Sequence, residues 1–417
     1  MSRFQIEGGR PLFGSVRVQG SKNAVLPILA GALLVPGQSI IRNCPELSDV
    51  SAALEILQVL GCEVRRLGKD VLVDAKCLKR DTIPPELMGK MRSSVVFLGP
   101  ILARKGQACL SLPGGCELGP RPIDLHLSAL RILGAEIRQE NGLLCCRAEK
   151  LTGREICLPV PSVGATENAM LCACGSEGIT TIVGAAREPE IVELQNFLNA
   201  VGADVSGAGE SVITVRGGKP LEGGEYTVGG DRIAACTYLC AAAAAGGEIS
   251  VTGANPDHLK VVLRCLQQAG CEMKCTENMV FLRSEGCLKG IPPVRTAPYP
   301  GFPTDAQAIL MAALAGGRGC TMFVENIFES RFGHVDELRR MGADIHTDGR
   351  VAVVTGTSGL HGARVHSPDL RGGAALVVAA LCAKGESSVT GLGHIRRGYE
   401  NLAENLRGLG ARIWETD

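Results

Sequence analysis

The sequence predicts an α/β chain built from six copies of one unit, three copies to each of two domains. Three observations carry this: an eight-residue signature recurs at regular intervals, a more apolar helix precedes each copy, and a stretch near the N-terminus resembles the strands that close the other copies. Self-similarity at a fixed period marks a supersecondary unit that buries its apolar face against its neighbours.

The signature reads LQVLGCEV around Gly61, LRILGAEI around Gly134, LNAVGADV around Gly202, LQQAGCEM around Gly270, LRRMGADI around Gly342 and LRGLGARI around Gly410. Successive glycines lie 73, 68, 68, 72 and 68 residues apart. In each copy an amphipathic helix ends on a capping glycine, an alternating strand follows, and a second strand usually stands behind it. Upstream lies the more apolar helix: AVLPILAGALL, SSVVFLGPILA, ENAMLCACGS, AACTYLCAAAAA, AQAILMAALAG and AALVVAALCA in turn. A glycine-bounded strand such as GQSIIRN or GEISVTG then follows. The unit is therefore βαβαββ: strand, buried helix, strand, surface helix, strand, strand.

The sixth copy stops after Ile413 and Trp414, short of its last strands. Those are expected at the other end of the chain, where FQIEGGRPLFGSVRVQG, Phe4 to Gly20, resembles ITVRGGKPLEGGEYTVGG and VAVVTGTSGLHGARVHS. The order of elements is that of a circular permutation. It predicts one domain over 22–229 and a second over 230–417 with 1–21, the crossings near residues 20 and 230 serving as a hinge.

Composition narrows the function classes. The 43 basic residues balance 43 acidic ones, and one Trp, four Tyr and nine Phe offer few stacking platforms, which argues against a general nucleic-acid binder. MSRFQIEGGR carries no apolar leader, and the longest apolar runs, such as Ala234 to Ala245, fall short of the roughly 18 residues of a membrane span. A soluble cytoplasmic protein is expected. The 18 cysteines form no paired CxxC or Cys/His cluster, so no metal is expected and most read as small buried apolar residues in a reducing compartment.

Polar residues recur at the start of each buried helix: Lys22, Arg92, the turn from Gly164 to Thr166, Arg232, Asp305 and Arg371. A cation at a helix N-terminus opposes the helix dipole unless an anion is bound there. Four cations at equivalent places, with Arg121 and the pair Arg396 and Arg397, point to a ligand bearing several negative charges, such as phosphates and a carboxylate; the alternative is that each caps a contact or lies solvated. GxxxxGK[ST], a helix-opening GxGxxG and GxSxG are all missing, which removes support for ATP hydrolysis, dinucleotide redox chemistry and serine hydrolysis. No cofactor is expected.

One loop stands out, SLPGGCELGPRPIDLH from Ser111 to His126. Its glycines and prolines suit neither helix nor strand. Cys116 followed by Arg121 is a candidate acid or nucleophile beside an anion-binding cation. On its own, a cysteine in such a turn is more often incidental.

Further stretches decide between these. SKNAVLPI at 21–28, MRSS at 91–94, PGGCELGPRPIDLH at 113–126, SVGATENA at 162–169 and AAREPEIV at 185–192 resemble the UDP-N-acetylglucosamine enolpyruvyl transferases. RTAPYPGFPTDAQA at 295–308, ESRFGHVDELRRMGAD at 329–344, DLRGGAALV at 369–377 and HIRRGYENL at 394–402 extend the resemblance over nearly the whole chain. It implies a two-domain inside-out α/β barrel and transfer of the enolpyruvyl group of phosphoenolpyruvate to the 3-hydroxyl of UDP-N-acetylglucosamine, the first committed step of peptidoglycan synthesis. Cys116 is implied as general acid and as the site of a covalent adduct with phosphoenolpyruvate. Asp305 is implied as the base at the sugar hydroxyl, a role compatible with a place in the first turn of a helix. Lys22, Arg121 and Arg397 would hold phosphoenolpyruvate, with Arg92 and Arg371 nearby. The nucleotide sugar falls to Asn23, Arg92, Arg121, Pro122, Ile123, Asp124, Leu125, Ser162, Val163, Gly164 and Ile327. Phe328 is implied against the sugar, its other reading being a core residue.

The chemistry asks for these residue types independently. Adding an alcohol across the enol double bond needs a proton at the methylene carbon and loss of the hydroxyl proton, and elimination of phosphate reverses this, inside a cationic cage. His126 and His394 read as structural, and Glu190 and Glu193 as a solvated helix face. Ala234 departs from the family pattern, which carries an acid there. Two rivals remain: the shikimate-pathway relative, against which the cysteine loop argues, and a non-catalytic UDP-sugar sensor, which would not need Lys22, Cys116, Asp305 and Arg397 intact.

Overall fold

The computed structural model describes residues 2–111, 122–140, 142–357 and 359–417, without the side chain of Arg92. Cys116 and Arg121 lie outside the described residues. The chain divides into two units: one runs to Gln19 and resumes over Gly230–Asp417, and the other lies between Gly20 and Gly229.

Each unit holds three four-stranded sheets among its described residues, all six with one internal order. In the first, Gly224–Thr227 runs parallel to Gln38–Arg42, and Asp70–Asp74 lies antiparallel between Gln38–Arg42 and Glu63–Leu67. The last sheet repeats this with Arg364–His366, Glu386–Thr390, Arg3–Glu7 and Arg412–Thr416. There Phe4 stands opposite Val389 and Ile6 opposite Ile413, so the N-terminal strand is the third member of the sheet made by the C-terminal residues. Leu12–Arg17 supplies the parallel strand beside Gly247–Thr252. The permuted order of elements is thus a strand exchange between the two ends of the chain.

The helices lie inside and the sheets outside, which gives the inside-out barrel. Arg232–Ala245, Thr304–Ala315 and Leu370–Cys382 pack on one another and are buried nearly all round. A helix apolar on every face has nowhere else to go, and the alanine-rich sequences let the backbones approach closely. In the other unit Leu98–Lys105 packs on Val163–Cys174 and Lys22–Gly31 on Pro189–Ala200. The starts of these helices, Lys22, Val163, Arg232, Thr304 and Leu370, with Arg92 opening a 3-10 helix, fall at the polar positions read from the sequence. The six signature glycines have φ between 87° and 111°, the left-handed turn that ends each surface helix.

Two readings of side chains change. Cys109 and Cys145, directly opposed on Gln107–Ser111 and Leu143–Arg147, are joined by a disulfide. Most of the free cysteines among the described residues fit the expected buried role, and burial pushes the Cys174 thiol up to about 12, whereas Cys77, Cys157, Cys275, Cys287 and Cys320 are exposed. Glu190 and Glu193 do not form a solvated face: Glu190 is 4% exposed, and Glu193 accepts from the Tyr226 hydroxyl and the Gly229 N–H, both at 3.0 Å. The returning strand covers this helix face, a long-range contact that helical spacing cannot show. No helix among the described residues is long and apolar enough to cross a membrane.

Candidate active site

In the unit between Gly20 and Gly229, Lys22 opens its helix and is buried, its Nζ 2.9 Å from Asp49 Oδ2. The anion that a cation at a positive helix end requires is thus partly supplied by the protein itself. Asn23, next in the helix, is half-buried.

The segments 122–126 and 162–168 meet. Asp124 begins a helix running to Ile132, with Pro122 and Asp124 exposed and Ile123 and Leu125 half-buried. Ser162 caps Val163–Cys174, its hydroxyl accepting from Ala165 N–H at 3.4 Å. His126 fixes the junction: its Nδ1 is 2.9 Å from the Asn168 side-chain nitrogen, which also donates to Val95 O at 2.8 Å, while Asn168 Oδ1 accepts from Gly99 N–H at 2.7 Å. Because the amide nitrogen donates, Nδ1 accepts and the ring is neutral in this arrangement, the structural role expected of it. Gly164 lies under the ring, where an added Cβ would come within 2.8 Å of His126 Cε1. Beneath them Glu167 is buried, and burial, with Glu190 and Glu188 nearby, raises its pKa well above the ordinary carboxyl value.

The other unit holds a charged cluster around Asp305. This residue sits in the first turn of Thr304–Ala315. Its Oδ2 accepts from Arg371 Nε at 3.1 Å and Nη2 at 2.9 Å, and its Oδ1 from Arg331 Nη2 at 3.2 Å. Arg331 also reaches Asp369 at 3.5 Å and lies over the Phe328 ring at 5.7 Å. Asp369 in turn caps the helix of Arg371, accepting from the N–H groups of Arg371 and Gly372 at 2.9 and 3.1 Å. The Arg371 guanidinium lies over Tyr399, whose hydroxyl meets Thr237 Oγ1 at 2.8 Å. Burial is the largest single influence on Arg371 and works against its charge, yet Asp305, Tyr399 and Asp231 together outweigh it and hold the pKa above the usual guanidinium value. His334 is enclosed beside Arg331 and Asp369, and burial first of all pushes it down to about 4.

Ile327 is 38% exposed and Phe328 half-buried, so the latter is not a core phenylalanine. Arg397 follows the short helix Leu392–Ile395 and is half-buried, as is His394. Arg331, Asp369, Asp49 and Tyr399 were not singled out from sequence, although Arg331, Asp369 and Tyr399 fall in stretches that resemble the family. Glu325 lies in none of them, and only its burial and bonding mark it. Two buried guanidiniums fix the orientation of the Asp305 carboxylate, whose side chain stays 29% exposed. Among the described residues no group of side chains is placed to hold a metal ion.

The family model described as EPSP synthase (3-phosphoshikimate 1-carboxyvinyltransferase) matches residues 6–406. Over 413 residues, 99% of each chain, this chain is 48% identical to a protein of Caldanaerobacter subterraneus subsp. tengcongensis named UDP-N-acetylglucosamine 1-carboxyvinyltransferase 2. It is also 48% identical over 415 residues, again 99% of each, to a protein of that name from Carboxydothermus hydrogenoformans. Among solved structures it is similar to the enolpyruvyl transferase NikO from Streptomyces tendae, with a TM-score of 0.89 and 26% identity, covering 100% of this chain and 99% of the other. With EPSP synthase from Acinetobacter baumannii it shares the fold alone, at a TM-score of 0.75, 20% identity and full coverage of both chains.

Proposed function

The chain belongs to the EPSP synthase family of carboxyvinyltransferases, and on that premise we infer that it transfers the enolpyruvyl group of phosphoenolpyruvate to UDP-N-acetylglucosamine, releasing phosphate in the first step of peptidoglycan synthesis. The observation that carries the choice of acceptor is 48% identity over 99% of both chains to relatives named for that acceptor.

The residues divide the work as follows. Asp305, oriented by Arg331 and Arg371, takes the proton of the sugar 3-hydroxyl as its oxygen attacks C2 of phosphoenolpyruvate. Cys116 delivers a proton to the methylene carbon and is the residue that becomes covalently attached to phosphoenolpyruvate. Lys22, Arg121 and Arg397, with Arg92 and Arg371, balance the phosphate and carboxylate charge. Elimination then returns the C3 proton and expels phosphate. Asn23, residues 122–125, Ser162, Val163, Gly164, Ile327 and Phe328 receive the nucleotide sugar. Both sets draw on the domain over 22–229 and on the domain over 1–21 with 230–417, and the reaction takes place in the cytoplasm.

The role of Cys116 is tested by substitution. Cys116→Ala is expected to lower turnover by about two orders of magnitude, the usual worth of a general acid, while UDP-N-acetylglucosamine still binds in calorimetry. Cys116→Asp, which keeps a proton donor, is expected to retain turnover. Unchanged turnover in Cys116→Ala would remove the thiol from the mechanism.

A further inference from the structure

Glu325 follows the strand Cys320–Val324 and is 1% exposed. Its carboxylate is saturated. Oε1 accepts from Thr296 Oγ1 at 2.9 Å and from the backbone N–H groups of Ile327 at 2.8 Å and Phe328 at 3.0 Å. Oε2 accepts from Thr304 Oγ1 at 3.0 Å. Thr296 is itself fully buried, receives Asn326 N–H at 2.8 Å on its hydroxyl and the Asn326 side chain at 3.0 Å on its carbonyl.

All four donors are neutral, and no ion pair involves Glu325 among the described residues. Burying a carboxylate without a cation is costly, and only hydrogen bonds to both oxygens offset it. A simple turn cap could be made by Asn or Ser at lower cost. What a carboxylate offers that these do not is several acceptor positions and no donor, so it can gather donors from separate elements. Here the donors come from a strand end at Thr296, a helix start at Thr304 and the turn at Ile327 and Phe328. Thr304 precedes Asp305. With both N–H groups of the turn directed at Glu325, a ligand lying on it meets carbonyl oxygens and side chains.

We propose that Glu325 is a positioning residue for the acceptor sugar: it sets the Ile327–Phe328 turn, against which the sugar lies, at a fixed distance from the helix start that carries Asp305. This rests on the reading that the chain uses UDP-N-acetylglucosamine as acceptor and Asp305 as base. Glu325 touches no substrate and acts through the residues that do.

Steady-state kinetics of the full chain, with each substrate varied in turn, test this in Glu325→Gln, Glu325→Ala and Thr304→Val, alongside thermal unfolding. Glu325→Gln keeps an oxygen for the two N–H groups but replaces an acceptor by a donor, and it is expected to raise KM for the nucleotide sugar about tenfold with KM for phosphoenolpyruvate within about twofold. Glu325→Ala is expected to raise the sugar KM further. Thr304→Val keeps the turn and frees the helix start, so kcat falls about tenfold while the sugar KM stays within about twofold. A merely structural role would move both KM values together with the melting temperature, and that result, or unchanged kinetics, overturns the proposal. Should neither Glu325 variant fold, the Thr304→Val split decides. A wild-type chain that releases no phosphate with these substrates would instead sink the reading on which the proposal rests.

Discussion

Asp305 is 29% exposed at its side chain, while the two arginines that hold it are each 2% exposed. That contrast is the one the proposed role requires, a part-exposed carboxylate held by enclosed cations. The same neighbourhood contains a titration that stability should report. His334 is fully enclosed, and its pKa falls from 6.5 to about 4, with burial the largest cause and Arg331 adding to it against Asp369. Between those values the unfolded chain binds a proton that the folded chain refuses, so stability rises with pH across the window and is lost as pH falls from about 6.5 to 4. The contribution is on the order of 3 kcal/mol. Urea midpoints measured at pH 7 and pH 4.5 are expected to differ more in the native chain than in His334→Gln; equal differences would show that His334 does not couple to folding. Little at this scale was legible beforehand. The roles of Lys22, Asp305 and Arg371 rested on helix-start positions and on resemblance, whereas Asp49, Arg331 and Glu325 act through contacts between residues far apart in the chain, which local pattern does not encode. Glu190 and Glu193 misled for the same reason.

The helical and strand elements were largely legible, because their signals are local: a period of apolar residues, a capping glycine, an alternating strand. The six signature glycines mark the sharpest of these, and two allow the strain of a side chain to be separated from crowding. Gly270 has φ 106° with nothing within 4 Å of an added Cβ, whereas at Gly61, φ 110°, a Cβ would come 2.9 Å from the backbone N of Lys79. Gly270→Ala is expected to cost about 1 kcal/mol from backbone conformation, and Gly61→Ala at least about 1 kcal/mol more from the clash. Chemical denaturation checks the order, and equal losses would mean that the neighbouring backbone yields freely. What the elements did not disclose was the Cys109–Cys145 bridge, since the pairing depends on strand register rather than on either strand alone.

For the whole molecule, the permuted order was readable because residues 4–20 repeat the closing segments of other units, and the structure seats Arg3–Glu7 inside the last sheet. The inside-out arrangement was not readable from periodicity. It came from resemblance, since an alanine-rich helix apolar on all sides announces burial without saying what surrounds it. The architecture of six equivalent units is shared with EPSP synthase at 20% identity, and a shared fold does not carry a function with it, so function rests on the side chains each unit presents. The central claim is therefore about the acceptor. Phosphate release from phosphoenolpyruvate, followed in the full chain with UDP-N-acetylglucosamine or with shikimate 3-phosphate as the second substrate, tests it most directly: release is expected with UDP-N-acetylglucosamine only, and release with shikimate 3-phosphate, or with neither, would contradict it.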